Sequence, residues 1–285
     1  MQLELKSVSY TYAPNTSYQT KALDNINLTV NSGEFIGIMG RTGCGKSTLI
    51  QVIDGLLVPD SGLVMLDGQN INSEKYDRAV LRHSIGLVFQ YPEYQLFETT
   101  VERDVAFALK YSGLSKNEIK ERVAEALDAS GFDYDKVKSK SPLSFSGGEK
   151  KRLAIAGVLA AKPDVLILDE PIAGLDCLGK TAFLRLIKSL NEKGTTIIMI
   201  SHDSDVLAEY ASRIILMDKG RIICDDAAES VLSDCERLNE IGAGAGKIVT
   251  VSNLLRQRGV GINAHTVKYN QLLDEISDIY GGAGI

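Results

Sequence analysis

At 285 residues, 44% of them hydrophobic, the chain is long enough to bury one large core with a small appendage. A net charge of −6, with no block of Lys or Arg, argues against a nucleic-acid binder held by electrostatics. The four cysteines show no C-x-x-C pairing, the apolar runs fall far short of the ~20 residues that span a bilayer, and residues 1–10 lack a signal-peptide core, so a soluble chain in a reducing cytoplasm is expected.

Residues 2–9 alternate polar and apolar and read as a strand, and 26–30 (INLTV) as a second, turned by 31–34 (NSGE). Between them, 10–14 (YTYAP) make an aromatic strand end before a polar loop. An aromatic there can stack on a base or pack under the loop, and the residues alone leave both readings open.

Residues 35–39 (FIGIM) form a short apolar strand, 40–45 a glycine-rich loop, and a helix opens at Lys46 and Ser47. The run fits G-x-x-x-x-G-K-[ST], with Gly40, Gly45, Lys46 and Ser47 in the fixed places and Arg41, Thr42, Gly43 and Cys44 between them. Glycines let successive backbone N–H groups turn inward on phosphate oxygens, and the helix N-terminus adds partial positive charge. Lys46 would reach the β- and γ-phosphates and the Ser47 hydroxyl would ligate Mg²⁺. The stretch through Thr48 is therefore expected to bind a nucleoside triphosphate.

Further on, Asp67 and Gly68 between 63–66 and 69–71 signal a hairpin, and 84–89 (SIGLVF) a buried strand ending at Gln90. From 92 to about 162 the character turns helical. Thr100 caps a helix over 101–111, and Ser115 with Glu118 forms a capping box for one ending near Gly131. Strands follow at 165–168, 195–200 and 213–217; the first two are continuous apolar runs separated by an amphipathic helix at 180–190, as in a parallel sheet buried on both faces. Residues 218–220 turn into an edge hairpin at 221–224. Then 242–246 (GAGAG) reads as a flexible joint, followed by helices at about 248–257 and 267–279 and a frayed GGAGI end. The expected layout is α/β: a nucleotide-binding domain at 1–240, with an antiparallel N-terminal β portion and a helical subdomain at about 92–162, and a tail at 241–285 that must pack on the main domain or on a partner.

Open parallel sheets place ligands at the carboxyl ends of their strands. Four strand ends deliver the phosphate loop, Gln90, Asp169 with Glu170, and His202 to one edge. Gln90 and His202 each have an ordinary reading as strand-end polar residues; the four together favour function. Asp169 would hold Mg²⁺ directly or through water, and Glu170 would orient and deprotonate the attacking water. His202 would bond the γ-phosphate or position that water, and Gln90 would contact Mg²⁺ or the water. At 145–152 (FSGGEKKR), Ser146 and Glu149 make a capping box, while Gly147 and Gly148 permit close approach of an anion to the helix end. Lys46 already serves the phosphates of its own subunit, so this second anion site suggests a partner's nucleotide, with two ATPs buried between two subunits.

Taken together, GRTGCGKST, Gln90, FSGGEKKR, VLILDE, AGLD (173–176) and His202 resemble the motif set of the ABC-transporter ATPases, in order, over about residues 1–235. Within it, VFQYPEYQLFETTVERDVAFAL (88–109) and RLAIAGVLA (152–160) resemble the energy-coupling factor transporter ATPases, which serve importers of vitamins and transition metals; the glycine joint and two-helix tail are similar to that group too. The resemblance implies a P-loop NTPase fold of the ABC type, with ATP and Mg²⁺ bound. ATP hydrolysis at Glu170 and His202 would drive import. It implies Tyr12 stacking on adenine, Ser146, Gly147, Gly148 and Glu149 meeting the opposite subunit's ATP, and Asp176 coupling the two sites. It implies a second ABC ATPase subunit, a membrane coupling (T) subunit whose helix enters the groove around 90–97, a substrate-binding membrane (S) subunit, no nucleic acid, and a peripheral position on the cytoplasmic face of the membrane. Phe145 and Glu149 depart from the usual Leu and Gln, so the added carboxylate must point away from the γ-phosphate or weaken that site; Cys177 stands where Pro is common. An ordinary importer or exporter subunit is the nearest alternative. A DNA- or ribosome-acting ATPase fits worse, because the interval before the signature lacks heptads and only one phosphate loop is present.

Overall fold

The strand Phe35–Met39 (β3) sits inside the larger of two sheets because all five of its residues are buried, as are all five of Val165–Asp169 (β7) and of Thr196–Ile200 (β8). A strand without a solvent face needs cover on both sides, and two core clusters provide it. The computed structural model describes residues 1–281. In chain order its remaining strands are Leu3–Tyr12 (β1), Thr20–Val30 (β2), Ser61–Leu66 (β4), Gln69–Asn70 (β5), Ile85–Val88 (β6), Arg213–Asp218 (β9) and Arg221–Ala227 (β10). One sheet runs β2-β1-β4-β5, antiparallel throughout. The other runs β10-β9-β3-β8-β7-β6 and is parallel except for the edge hairpin β9–β10.

Alternation along β3 divides the core. Ile36 and Ile38 face a cluster shared with β1, β2, β4 and the helix Lys46–Ile53, while Phe35 and Met39 face one shared with the helices that follow β6. The helical segment between β6 and β7 is present as expected, with Val101–Ala106, Lys116–Ala129 and Gly147–Leu159 as its main helices. The helix expected over 101–111 is shorter: after Ala106 it tightens into a 3₁₀ turn, Phe107–Leu109. A helix at Arg78–Ser84, capped by Asp77, was not foreseen. β1 and β2 are both longer than their alternation suggests, because Ser7 and Asn25 take positive φ and break the period at bulges.

The joint at 242–246 is not the loose connection that its composition suggests. The Ala243 N–H donates to the Leu238 carbonyl at 2.9 Å, the Ser204 hydroxyl donates to the Gly244 carbonyl at 2.8 Å, and Ala243 is buried. The tail helices Lys247–Gln257 and Tyr269–Gly281 follow, and Val249 and Val267 join the main core. The frayed end expected at 281–285 lies, from residue 282 on, outside the described residues. Among the described residues no helix is long and apolar enough to cross a membrane.

The helix Lys247–Gln257 starts at Gly246, which has no side chain to cap it. Asp205 supplies the cap from another helix, accepting the N–H groups of Lys247 at 3.1 Å and Ile248 at 3.2 Å. Asp205→Ala is expected to cost about 1 kcal/mol of stability and to speed amide hydrogen exchange at 247–250. Unchanged exchange there would show that apolar packing alone holds the tail.

Candidate functional site

The loop after β3 is forced by contact as much as by sequence. Gly40 has φ 146° and Gly45 φ 109°; a Cβ on Gly40 would lie 2.2 Å from the Met217 carbonyl oxygen, and one on Gly45 2.4 Å from that of Ala22. The β9–β10 turn fastens the loop: the Gly220 N–H donates to the Cys44 carbonyl at 2.9 Å, and Gly220 in turn accepts from the Asp24 N–H at 2.8 Å. Lys46 is buried and its ammonium donates to the carbonyls of Gly40 at 2.6 Å and Arg41 at 3.1 Å. Among the described residues no side chain caps the helix Lys46–Ile53, whose N-cap is Gly45, and an uncapped helix N-terminus suits an anion.

A cavity of about 560 Å³ opens over this loop, within the usual size range of ligand sites. Thr42, Gly43, Gly45, Lys46, Ser47 and Thr48 form its floor, and Tyr12 one wall. Gln90, Asp169, Glu170 and His202 enter from the ends of β6, β7 and β8, as the strand-end argument requires. Gly40 and Cys44 are buried beneath it and shape the loop without lining it; Arg41 also lies off the wall. The Tyr12 and Tyr10 rings pack T-shaped, centroids 4.9 Å apart, and the Tyr12 hydroxyl lies 3.3 Å from that of Thr48.

The Ser47 hydroxyl donates to Asp169 Oδ2 at 3.0 Å. Burial pushes the Asp169 carboxyl up, opposed by that bond and by the Lys46 charge. Burial also pushes Glu170 up, opposed mainly by His202. Glu170 Oε1 is buried and accepts no hydrogen bond, although His202 Nε2 is 3.4 Å away. Glu170 sits at φ 49°, uncommon for a residue with a side chain, and its N–H donates to the Ile200 carbonyl at 3.1 Å. Among the described residues no group of three or more His, Cys, Asp or Glu could hold a metal by itself. One carboxylate and one hydroxyl, completed by phosphate oxygens and water, nevertheless suit Mg²⁺.

Ser146, Gly147, Gly148, Glu149 and Asp176 do not line this cavity. Ser146 caps the helix Gly147–Leu159, and Glu149 Oε2 accepts both the Ser146 N–H at 2.9 Å and its hydroxyl at 2.7 Å. Those bonds hold the Glu149 carboxyl below the usual range and turn it back onto Ser146. Asp176 caps the helix Cys177–Glu192 through the Gly179 N–H at 2.7 Å. Thr20, Lys21, Ala22, Lys219 and Gly220 also line the cavity and were not anticipated. Following β9 to its carboxyl end would have found the last two; nothing local marks the first three, which arrive by pairing of β2.

A separate groove of about 440 Å³ is lined by Phe89, Gln95, Leu96, Phe97, Phe107 and Asp54, among others. Tyr91, Tyr94 and Phe97 are exposed beside it, Tyr94 by 84%.

A family model described as ABC transporter matches residues 23–173. The energy-coupling factor transporter ATP-binding protein EcfA2 of Clostridium tetani is 41% identical over 98% of both chains, and the one of Caldanaerobacter subterraneus subsp. tengcongensis 45% identical over 92% of both. Among solved structures, cbiO1 from Clostridium perfringens, part of the ABC transporter complex cbiONQ, aligns with a TM-score of 0.72 at 36% identity, covering 89% of this chain and 98% of that one. The ATP-binding cassette MJ0796, a dimer in a post-hydrolysis state bound to ADP and Pi, aligns with a TM-score of 0.71 at 32% identity, covering 79% and 98%.

Burial raises Asp54 from 3.8 to about 7. An acid whose folded pKa is raised costs nothing below its unfolded value and destabilises the fold progressively as pH rises through the folded one. Asp54 is half-buried, so solvent screening trims the loss between pH 4 and 8 to about 1–3 kcal/mol. Asp54→Asn is expected to flatten that part of the stability–pH profile, measured by denaturant unfolding; a variant with the wild-type slope would show that Asp54 is better solvated than its surroundings imply.

Proposed function

Since this chain belongs to the ABC transporter family, and within it to the energy-coupling factor ATP-binding proteins, we propose that it is the ATP-hydrolysing subunit of an energy-coupling factor importer. The observation that carries the catalytic part is Glu170: a carboxylate with a buried, unpartnered oxygen, raised by desolvation, beside a phosphate-loop cavity and His202.

In this reading the backbone of 40–48 and the Lys46 ammonium hold the triphosphate, and Tyr12 stacks on the adenine. Ser47 and Asp169, with Gln90 near them, would hold Mg²⁺, which neutralises charge on the phosphate oxygens. Glu170 takes a proton from the attacking water, whose oxygen bonds to the γ-phosphorus as the bond to the bridging oxygen breaks, giving ADP and phosphate. His202 steadies the γ-phosphate. Ser146, Gly147, Gly148 and Glu149 of each subunit face the nucleotide of the other, and Asp176 links the two sites. ATP closes a dimer with a second ABC ATPase subunit, and hydrolysis reopens it.

The exposed aromatic groove supports a further partner: a helix of a membrane coupling subunit, through which closure drives a substrate-binding membrane subunit that takes up vitamins or transition-metal ions. The chain then works peripherally at the cytoplasmic face of the membrane.

Glu170→Gln is expected to lower kcat by about 10²–10⁴-fold while ATP still binds, and to trap the closed dimer on size-exclusion chromatography with ATP. Turnover at the normal rate would remove the base assignment. Purifying the tagged chain from detergent-solubilised membranes of its host tests the assembly. Recovery of a second ATPase, a small integral-membrane protein and varied cargo-binding membrane proteins is expected; a conventional permease pair with an external receptor would sink the importer type and leave the ATPase standing.

A further inference from the structure

The turn after β7 carries Glu170 and closes on itself, with the Ala173 N–H donating to the Glu170 carbonyl at 3.2 Å. A non-glycine residue at positive φ persists only where its surroundings over-determine it. From the sheet, the Ile200 carbonyl holds the Glu170 N–H. From the other side comes Lys151, on the helix Gly147–Leu159, whose ammonium donates to the Ala173 carbonyl at 2.7 Å. Lys151 is only 5% exposed and does not line the nucleotide cavity. Burial lowers its pKa, and the charges of Glu93 and Glu170 work against that. Glu93 belongs to the 3₁₀ turn Pro92–Gln95, which packs on the same helix, and its Oε2 is buried without a partner. A lysine buried at this expense, with one hydrogen bond and that bond to a carbonyl three residues past Glu170, calls for a reason beyond filling space.

We propose that Lys151 is a positioning residue for Glu170: by holding the Ala173 carbonyl it fixes the turn that aims the Glu170 carboxylate, and it ties that turn to the helix that begins at Ser146. The inference rests on the reading of Glu170 as the base. Lys151 touches neither nucleotide nor water in this scheme and acts only through the turn. Loss of its bond lets the carboxylate drift, and a misplacement of about 1 Å costs roughly a hundredfold in rate.

The test uses the full chain in its purified membrane complex. Lys151→Met is expected to lower kcat about ten- to a hundredfold, with KM for ATP and equilibrium ATP binding within about twofold of wild type and Tm within about 5 °C. Lys151→Arg, which keeps a charged donor, should recover most of the rate. Wild-type kcat in Lys151→Met, or a loss that appears in ATP binding instead of kcat, would overturn the proposal. Should Lys151→Met fail to assemble, Lys151→Gln decides, because it keeps a polar group but falls short of the Ala173 carbonyl: reduced kcat supports the role and undiminished kcat overturns it. Glu170→Gln is measured alongside. If it is dead while Lys151→Met is normal, the positioning role alone fails; if Glu170→Gln turns over normally, the base assignment fails and this inference with it.

Discussion

The phosphate loop exists in this shape because two carbonyl oxygens, those of Met217 and Ala22, stand where side chains at positions 40 and 45 would have to be. One belongs to the parallel sheet and the other to the antiparallel sheet. The loop is therefore the place where the two sheets meet, and glycine is what lets them meet this closely. The hydrogen bonds from Asp24 through Gly220 to Cys44 run across the same seam. Packing of β2 against the β9–β10 turn and preorganisation of the loop are one event, so the antiparallel sheet is part of the binding machinery and not a decoration on it.

Once the loop is fixed, the electrostatics follow. Two strand ends bring Asp169, Glu170 and His202 to the loop that holds Lys46, in a region where burial raises both carboxyls. The two acids sit side by side but are treated differently. Asp169 accepts a hydrogen bond from the Ser47 hydroxyl, and in the proposed reading the two would share an oxygen-loving cation. Glu170 Oε1 is buried and accepts no hydrogen bond, with His202 Nε2 3.4 Å away, which fits its proposed role as the base. The strand β7 ends at Asp169, and the turn in which Glu170 takes φ 49° brings both carboxylates to the same cavity.

The fold's outline and the heart of the site were legible because their signals are local. A glycine loop between strand and helix, an acidic pair ending an apolar run, and capping boxes at Ser115 and Ser146 each need fewer than ten consecutive residues. What stayed hidden depends on pairing between distant segments. Thr20, Lys21 and Ala22 reach the cavity only through the register of β2, and that register is disguised by the positive φ of Ser7 and Asn25. The joint at 242–246 has the composition of a flexible linker, yet Ser204 and Asp205, about forty residues earlier, tie it and the following helix down. Nothing in the run 150–152 (KKR) marks which side chains are buried. In the fold Lys151 is buried on a carbonyl and Arg152 lies 5.2 Å over the Phe132 ring. Helical phase against a neighbouring turn is not written in any short window.

Glu149 shows how a departure from a familiar pattern can be absorbed without losing the site. The Ser146 hydroxyl has one proton to give, and Glu149 takes it, along with the Ser146 N–H. The carboxylate is thereby folded against the cap and its charge spent locally. Gly147 and Gly148 are different: nothing lies within 4 Å of where a Cβ on either would stand, so the first N–H groups of this helix can be approached closely. An anion arriving there meets backbone donors and the positive end of a thirteen-residue helix, with the nearest carboxylate already engaged. The proposed contact with a partner's nucleotide therefore leans on the two glycines and the helix end more than on the serine hydroxyl, which would first have to turn away from Glu149.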